Sequence, residues 1–120
     1  MRYAGERHAF GGPIGRNQGV SFKCTDLAVL YESSAALTYQ AAWMADHGRP
    51  FRQAAAIAKL HATESAVTAA RQATQIFGGA GFLDETPVAR HWRDSKILEI
   101  GEGTSEVQRM VISRGLGLPA

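Results

Sequence analysis

A glutamate between two glycines is the residue of this 120-residue chain whose type and setting most strongly suggest acid–base chemistry. Glu102 lies in the run Gly101-Glu102-Gly103, which breaks any regular element. A carboxylate can remove a weakly acidic proton when it is desolvated and held close to its substrate, because burial raises its pKa towards neutrality. The flanking glycines allow the backbone to approach a ligand and to adopt unusual dihedral angles. An ordinary solvated loop glutamate is the alternative, and residue chemistry alone favours that alternative.

Two other segments contain groups that bind anions. Thr104, Ser105 and Glu106 follow the glutamate, and a helix that begins here offers free backbone amides to an anionic group. An ordinary N-cap also explains these residues, with Thr104 bonding its own helix and Glu106 favoured in the first turn, and both interpretations can hold together. Arg7 can pair with a phosphate through two charge-assisted hydrogen bonds, although a lone arginine more often lies free on the surface.

A glycine-rich break follows the alanine-rich middle of the chain. In the run Gln75-Ile76-Phe77-Gly78-Gly79, the glycines allow the backbone to contact a nucleotide closely. The same glycine pair would serve as an ordinary helix C-cap, and on its own it is a weak indication of binding.

The composition argues against several classes of protein. Basic and acidic residues number 13 and 11, and the net charge of +2 is too small to indicate nucleic acid or an anionic membrane surface as a partner. The single cysteine, Cys24, cannot form an internal disulfide and indicates a reducing compartment. The 4 histidines have no metal-ligand spacing, so no metal site is expected. No run approaches the ~20 apolar residues of a membrane-spanning helix.

Most of the chain is predicted to be helical. A first long helix runs from Gln18 to about His47 with Asn17 as its N-cap, and a second, rich in alanine, runs from about Phe51 to Phe77. The first helix carries a stripe of residues spaced three or four positions apart, which we expect to be buried. The stripe consists of Val20, Cys24, Leu27, Tyr31, Ala35, Thr38 and Ala42.

Two shorter helices are predicted to begin at Thr86-Pro87 and at Thr104, each with threonine as the N-cap. The segment Lys96 to Ile100 is ambiguous between helix and extended chain. No segment shows the clean alternation of a strand. The pattern therefore predicts an all-α bundle in a single domain.

Four segments, in this order and spacing, resemble the acyl-CoA dehydrogenase family. They are Glu6-Arg7-His8-Ala9-Phe10-Gly11, Asn17-Gln18, Gln75-Ile76-Phe77-Gly78-Gly79-Ala80-Gly81, and the stretch from Arg93-Asp94 to Gly101-Glu102-Gly103-Thr104-Ser105-Glu106-Val107-Gln108-Arg109. The last two are highly specific together, and the resemblance covers essentially the whole chain. It implies that residues 1–120 form the all-α, antiparallel, four-helix-bundle-like C-terminal domain of such an enzyme, with the N-terminal helical domain and the middle β-domain absent.

The resemblance also implies a reaction of fatty acid metabolism, the oxidation of acyl-CoA to trans-2-enoyl-CoA. Glu102 is the expected base that abstracts the α-proton while a hydride passes to FAD, and Gly101 and Gly103 are expected at the substrate. The residues expected to bind FAD are Arg7, His8, Ala9, Phe10, Asn17, Gln18, Gln75, Ile76, Phe77, Gly78, Gly79, Thr104, Ser105 and Glu106. An electron-transferring flavoprotein is the implied electron acceptor. A homo-oligomer, a dimer or tetramer, is the implied assembly, in the bacterial cytoplasm or the mitochondrial matrix.

Some residues depart from the family pattern. Many straight-chain enzymes have a tyrosine where this chain has Gly101, so the acyl preference is open. The family often has a hydroxyl residue in place of Ala9. Phe10 is expected near the adenine or in the core. For Asn17, capping of the helix remains an equal alternative to binding of FAD.

Two other functions remain open, an inactive helical oligomerisation module and an acyl-CoA oxidase-like flavoprotein. Glu102 argues against a monooxygenase-like relative.

Overall fold

The computed structural model describes residues 1–119, which form a helical fold. Five α-helices lie within that range, and their bounds are α1 (Arg2–Glu6), α2 (Gln18–Asp46), α3 (Arg52–Phe77), α4 (Pro87–Ser95) and α5 (Ser105–Gly115). Short 3₁₀ helices cover Ile14–Arg16, Gly78–Phe82 and Lys96–Glu99. The all-α prediction is confirmed, and the segment that was ambiguous in sequence, Lys96 to Ile100, is mostly 3₁₀ helix.

The alanine-rich helix α3 is the centre of the fold, because α2, α4 and α5 all pack against it. Small side chains line its buried face, which consists of Ala56, Ala58, Ser65 and Ala70. Small residues let neighbouring helix backbones approach closely. The short link between α2 and α3 turns at Gly48, whose φ of +63° lets the amide of Arg49 bond back to the Met44 carbonyl at 2.9 Å. The two long helices therefore lie antiparallel to each other.

The prediction of a buried stripe on α2 is wrong, because four of its seven residues are only half-buried and three are exposed. Tyr31 is 71% exposed, and Thr38 and Ala42 are also exposed. The reason is that α2 packs mainly on α3. This single helix covers only part of the apolar stripe of α2, and the rest of the stripe stays exposed. Ala41 is instead the buried residue of α2.

A tight hairpin joins α1 to the rest of the chain. Residues His8–Ala9 (β1) pair antiparallel with Gly12–Pro13 (β2). The two-residue loop consists of Phe10 and Gly11, whose φ values are +54° and +85°. A loop with two positive φ values suits the right-handed twist of paired strands. The Phe10 ring is wholly exposed, so the second of the two places expected for it, the core, is wrong.

The predicted N-caps differ in what their side chains do. Thr104 accepts a hydrogen bond from the amide of Val107 at 3.3 Å, as an N-cap should. Asn17 stands at the N-cap position of α2 but makes no side-chain capping bond. The Thr86 hydroxyl donates to the Ala80 carbonyl at 2.8 Å instead of capping α4, and so closes the loop before that helix.

Candidate functional site

Glu102 lies in a short loop between the 3₁₀ helix Lys96–Glu99 and the first turn of α5. Its φ is +55°, a left-handed conformation that is uncommon for a residue with a side chain, and Gly103 follows with a φ of +91°. The Glu102 side chain is exposed to solvent. The described residues therefore present this carboxylate on a surface and do not themselves desolvate it.

Side chains from two helices hold the carbonyl groups of this loop. The ammonium of Lys59, on α3, donates to the carbonyls of Leu98 at 2.9 Å and Gly103 at 2.8 Å. The amide of Gln108, on α5, donates to the carbonyls of Glu102 at 3.3 Å and Gly103 at 3.0 Å. Hydrogen bonds from a charged donor are the stronger kind, so Lys59 restrains the loop more firmly than a neutral side chain would.

Space around Gly103 is also restricted. A Cβ atom at this position would lie 2.8 Å from the Gln108 amide nitrogen, and the positive φ adds strain for any side chain. Gly101, the residue that precedes Glu102, has more freedom, since a Cβ there would meet the Ile97 carbonyl oxygen at 3.4 Å, an ordinary contact. The loop therefore requires glycine after Glu102 and tolerates a larger residue before it.

The first turn of α5, which directly follows the loop of Glu102, contains a second carboxylate and a buried hydroxyl group. The amide of Glu106 itself, and then the Thr104 side chain, donate hydrogen bonds to the Glu106 carboxylate and lower its pKa below the ordinary value. Ser105 is buried, and its hydroxyl has no hydrogen-bond partner among the described residues. Upstream of the loop, Glu99 accepts a hydrogen bond from Lys96 and raises the pKa of that lysine.

A second group of predicted residues meets at the other end of α3. Arg7 lines a shallow cavity together with Ile76, Phe77, Gly78 and Gly79. Thus Arg7, from the segment 6–11 of the family resemblance, lies beside residues of the segment 75–81, although about 70 residues separate the two segments in the sequence. Tyr3 fixes this arrangement, because its ring stacks on Phe77 with centroids 4.0 Å apart and its hydroxyl donates to the Phe77 carbonyl at 3.3 Å.

The remaining predicted residues lie around these two places. His8 and Ala9 belong to the hairpin next to Arg7, and the exposed His8 ring lies 2.9 Å from the Glu6 carbonyl. Asn17 and Gln18 are exposed at the start of α2. Gln75 is exposed on the last turns of α3, where it lines a different hollow.

The two groups are well separated along α3. Lys59 and Phe77 lie about 27 Å apart along the helix axis, at a rise of about 1.5 Å per residue. We call the groups the base loop (residues 100–106) and the arginine cavity (Arg7 with residues 76–79). No described residue of the base loop lines the arginine cavity.

Sequence reasoning missed the residues that hold the base loop. The sequence pattern gives no role to Lys59, and Gln108 is only one residue of the fourth segment of the resemblance. Helical spacing cannot reveal either role, because both depend on where a distant loop returns to the helix. The Arg109 and Glu64 side chains, which join α5 to α3 at 2.7 Å, were missed for the same reason.

Within residues 1–119, no group of three or more histidine, cysteine, aspartate or glutamate side chains could hold a metal ion. None of the helices in that range is both long and apolar enough to cross a membrane.

Comparison with known proteins gives the family. A family model described as the C-terminal domain of acyl-CoA dehydrogenase matches residues 1–117. The chain belongs to the acyl-CoA dehydrogenase family. It is 49% identical over 116 residues to the probable acyl-CoA dehydrogenase YngJ of Bacillus subtilis, a match that covers 97% of this chain and 30% of that protein.

Two solved structures share the fold of this chain. Butyryl-CoA dehydrogenase from Megasphaera elsdenii matches with a TM-score of 0.94 and 45% identity, over 96% of this chain and 30% of that one. The FAD complex of PigA matches with a TM-score of 0.95 and 35% identity, over 98% of this chain and 30% of that one. The chain thus spans less than a third of the length of the relatives that it matches.

Proposed function

We propose that this chain acts as the C-terminal helical domain of an FAD-dependent acyl-CoA dehydrogenase, with Glu102 as the base that removes the α-proton of the thioester. The observation that carries the proposal is the backbone of Glu102. A residue with a side chain is held at a φ of +55°, in a loop whose carbonyls are fixed by Lys59 and Gln108. Strained residues of this kind persist where the surrounding structure enforces them, and they cluster at functional sites.

The exposure of Glu102 indicates what else the reaction needs. A weakly acidic C–H proton is removed efficiently only when the base is shielded from water and placed against the substrate. The Glu102 carboxylate is exposed here, so other parts of a longer protein must cover it. We infer that an N-terminal helical domain and a middle β-domain supply this cover.

The base loop and the arginine cavity contain groups that fit FAD. Arg7 beside the Gly78-Gly79 backbone suits a pyrophosphate, and the fully exposed Phe10 ring suits an adenine. The unpaired hydroxyl of the buried Ser105 offers a further polar contact at the start of α5. When bound, FAD supplies the acceptor for the hydride that leaves the β-carbon, and the product is trans-2-enoyl-CoA.

The distance between the base loop and the arginine cavity has a consequence for how copies of the protein assemble. Because they lie about 27 Å apart along α3, we propose that the arginine cavity and the base loop serve different FAD molecules in a homo-oligomer. We also propose an electron-transferring flavoprotein as the acceptor of the electrons. An oxidase is the competing proposal, and it differs in passing the electrons to oxygen.

The test uses the full-length enzyme, meaning the longer polypeptide in which we propose that this chain is the C-terminal domain. Anaerobic addition of butyryl-CoA should bleach the flavin absorption, and Glu102→Gln should slow this bleaching by about 10²–10⁴-fold, the usual contribution of a general base. Glu85→Gln, at an exposed loop residue, is the matched control and should bleach at the wild-type rate. Rapid bleaching by Glu102→Gln would contradict the assignment of the base. Turnover driven by oxygen alone would favour the oxidase.

A further inference from the structure

Lys59 is a lysine on an alanine-rich helix that reaches across to the loop of the proposed base. We propose that Lys59 is a positioning residue, which sets the place of the Glu102 carboxylate by holding the backbone on both sides of Glu102. This inference rests on the proposed function, because it gives Lys59 a role in proton abstraction by Glu102.

The contacts of Lys59 bracket Glu102 along the chain. The ammonium donates to the carbonyl of Leu98, four residues before Glu102, at 2.9 Å. It also donates to the carbonyl of Gly103, the next residue after Glu102, at 2.8 Å. One charged group therefore joins the 3₁₀ helix that precedes Glu102 to the residue that follows it, and it anchors both to α3, the central helix of the fold.

The partners of Lys59 show how it acts. Both acceptors are backbone carbonyls, and no salt bridge joins Lys59 to Glu102 within residues 1–119. An ammonium that paired with the carboxylate would compete with the substrate proton for it. Bonded to the carbonyls instead, Lys59 leaves the carboxylate free and fixes the backbone from which it projects.

The backbone of Glu102 needs such a restraint. A residue with a side chain at a φ of +55° tends to relax unless its neighbours prevent it. Gln108 adds a second restraint, because its amide donates to the carbonyls of Glu102 and Gly103 from the α5 side. Gly103 accepts from both residues, so the loop is held between α3 and α5.

The substitution that tests this role is Lys59→Met in the full-length enzyme, because methionine keeps an unbranched side chain and removes the donors. A displacement of about 1 Å at a reacting group can cost about 10²-fold in rate. We therefore expect anaerobic flavin reduction by saturating butyryl-CoA to slow by about 10²-fold. The KM should change little, because Lys59 is not expected to touch the substrate. Lys59→Arg, which retains charge and donors, should recover most of the rate.

Lys23→Met is the matched control. Lys23 also donates to a carbonyl, that of Gly19 at 2.9 Å, but within α2 and away from the base loop. This variant should reduce its flavin at the wild-type rate. A rate loss in Lys23→Met equal to that in Lys59→Met would mean that any lost lysine bond slows the enzyme, and the proposal would be overturned.

The outcomes separate the two proposals. A wild-type enzyme that is not bleached by any acyl-CoA contradicts the proposed function and the role of Lys59 together. Bleaching by the wild type, with an unchanged rate in Lys59→Met, contradicts only the role of Lys59. If Lys59→Met does not retain FAD, Lys59→Gln is measured in its place. Failure of both variants to retain FAD would show that Lys59 is needed to keep the cofactor bound and would overturn the positioning role.

Discussion

Phe10 and Glu102 are held in left-handed backbone conformations, with φ values of +54° and +55°. Both side chains are exposed, so neither conformation is compensated by burial of the side chain. For an L-residue this region costs about 1–2 kcal/mol relative to a right-handed one. Each residue also lies in a segment that we propose to bind FAD or substrate. We infer that this strain is retained because it projects each side chain towards a ligand.

The free-energy cost of the positive φ at Phe10 can be measured. Phe10→Asn should stabilise the isolated chain by about 1 kcal/mol, because asparagine-glycine is favoured in a two-residue hairpin loop and no buried contact is lost. Chemical denaturation followed by circular dichroism would measure this. Phe82→Asn is the control, since Phe82 is 85% exposed without a positive φ and should show no such gain. A loss of stability in Phe10→Asn would mean that the ring packs on the protein.

Glu106 gives a prediction of pH dependence. Its own amide and then the Thr104 side chain lower the pKa of this carboxyl below its ordinary value. A carboxylate with a lowered pKa stabilises the fold above the ordinary value of 4.5, and this contribution is lost as the pH falls through the folded pKa. The Glu106 carboxyl should therefore titrate below 4.5 in an NMR experiment, and Thr104→Val should move its midpoint upwards. An unchanged midpoint in Thr104→Val would contradict the contribution of the Thr104 side chain and leave the amide, with the charges of Arg109 and Lys96, as the cause of the lowered pKa.

At the scale of elements, α3 joins the two proposed sites. Its N-terminal third carries Lys59, which holds the base loop, and its C-terminal end carries Phe77, which lines the arginine cavity. The small buried residues of α3 let α2, α4 and α5 all pack closely against it. A shift of α3 would therefore change both sites together.

The turn at the end of α3 predicts a matched pair of glycine substitutions. Gly81 is buried, and a Cβ there would lie 2.8 Å from both the Phe77 Cβ and the Thr74 carbonyl oxygen. Gly81→Ala should lower the free energy of unfolding by about 1–3 kcal/mol, the usual cost of overpacking. Gly79→Ala meets no atom within 4 Å and should change it by less than about 0.5 kcal/mol. Equal effects in thermal unfolding would contradict this account of the turn.

The whole molecule is elongated and thinly packed. Its radius of gyration is 17.5 Å, compared with about 14 Å for a compact domain of this length. No large side chain in residues 1–119 is fully buried, and the core is made of alanines and Val88. Large apolar residues are exposed instead, including Tyr31, Tyr39 and Trp43. Apolar surface on this scale indicates faces that other domains or subunits cover.

The open packing of the chain leads to a prediction about FAD binding by the isolated chain. We expect it to bind FAD weakly or not at all, because the base loop and the arginine cavity are both open surfaces. Titration of the chain with FAD, followed by flavin fluorescence, should show no saturable binding at micromolar concentrations. The full-length enzyme, measured in parallel, should retain FAD. A purified chain that is yellow and turns over acyl-CoA would contradict this prediction.

Local patterns were sufficient to predict the helices, their breaks and the loop of Glu102. Helix periodicity, alanine content and glycine breaks act over a few residues, so they can be read along the chain. The family motif around Glu102 is local in the same sense. The contacts of Lys59 and the meeting of Arg7 with Gly78 could not be predicted in this way, because they join residues tens of positions apart. The exposure of Tyr31 depended on which partner packs on each helix face, and periodicity shows only that a face is apolar.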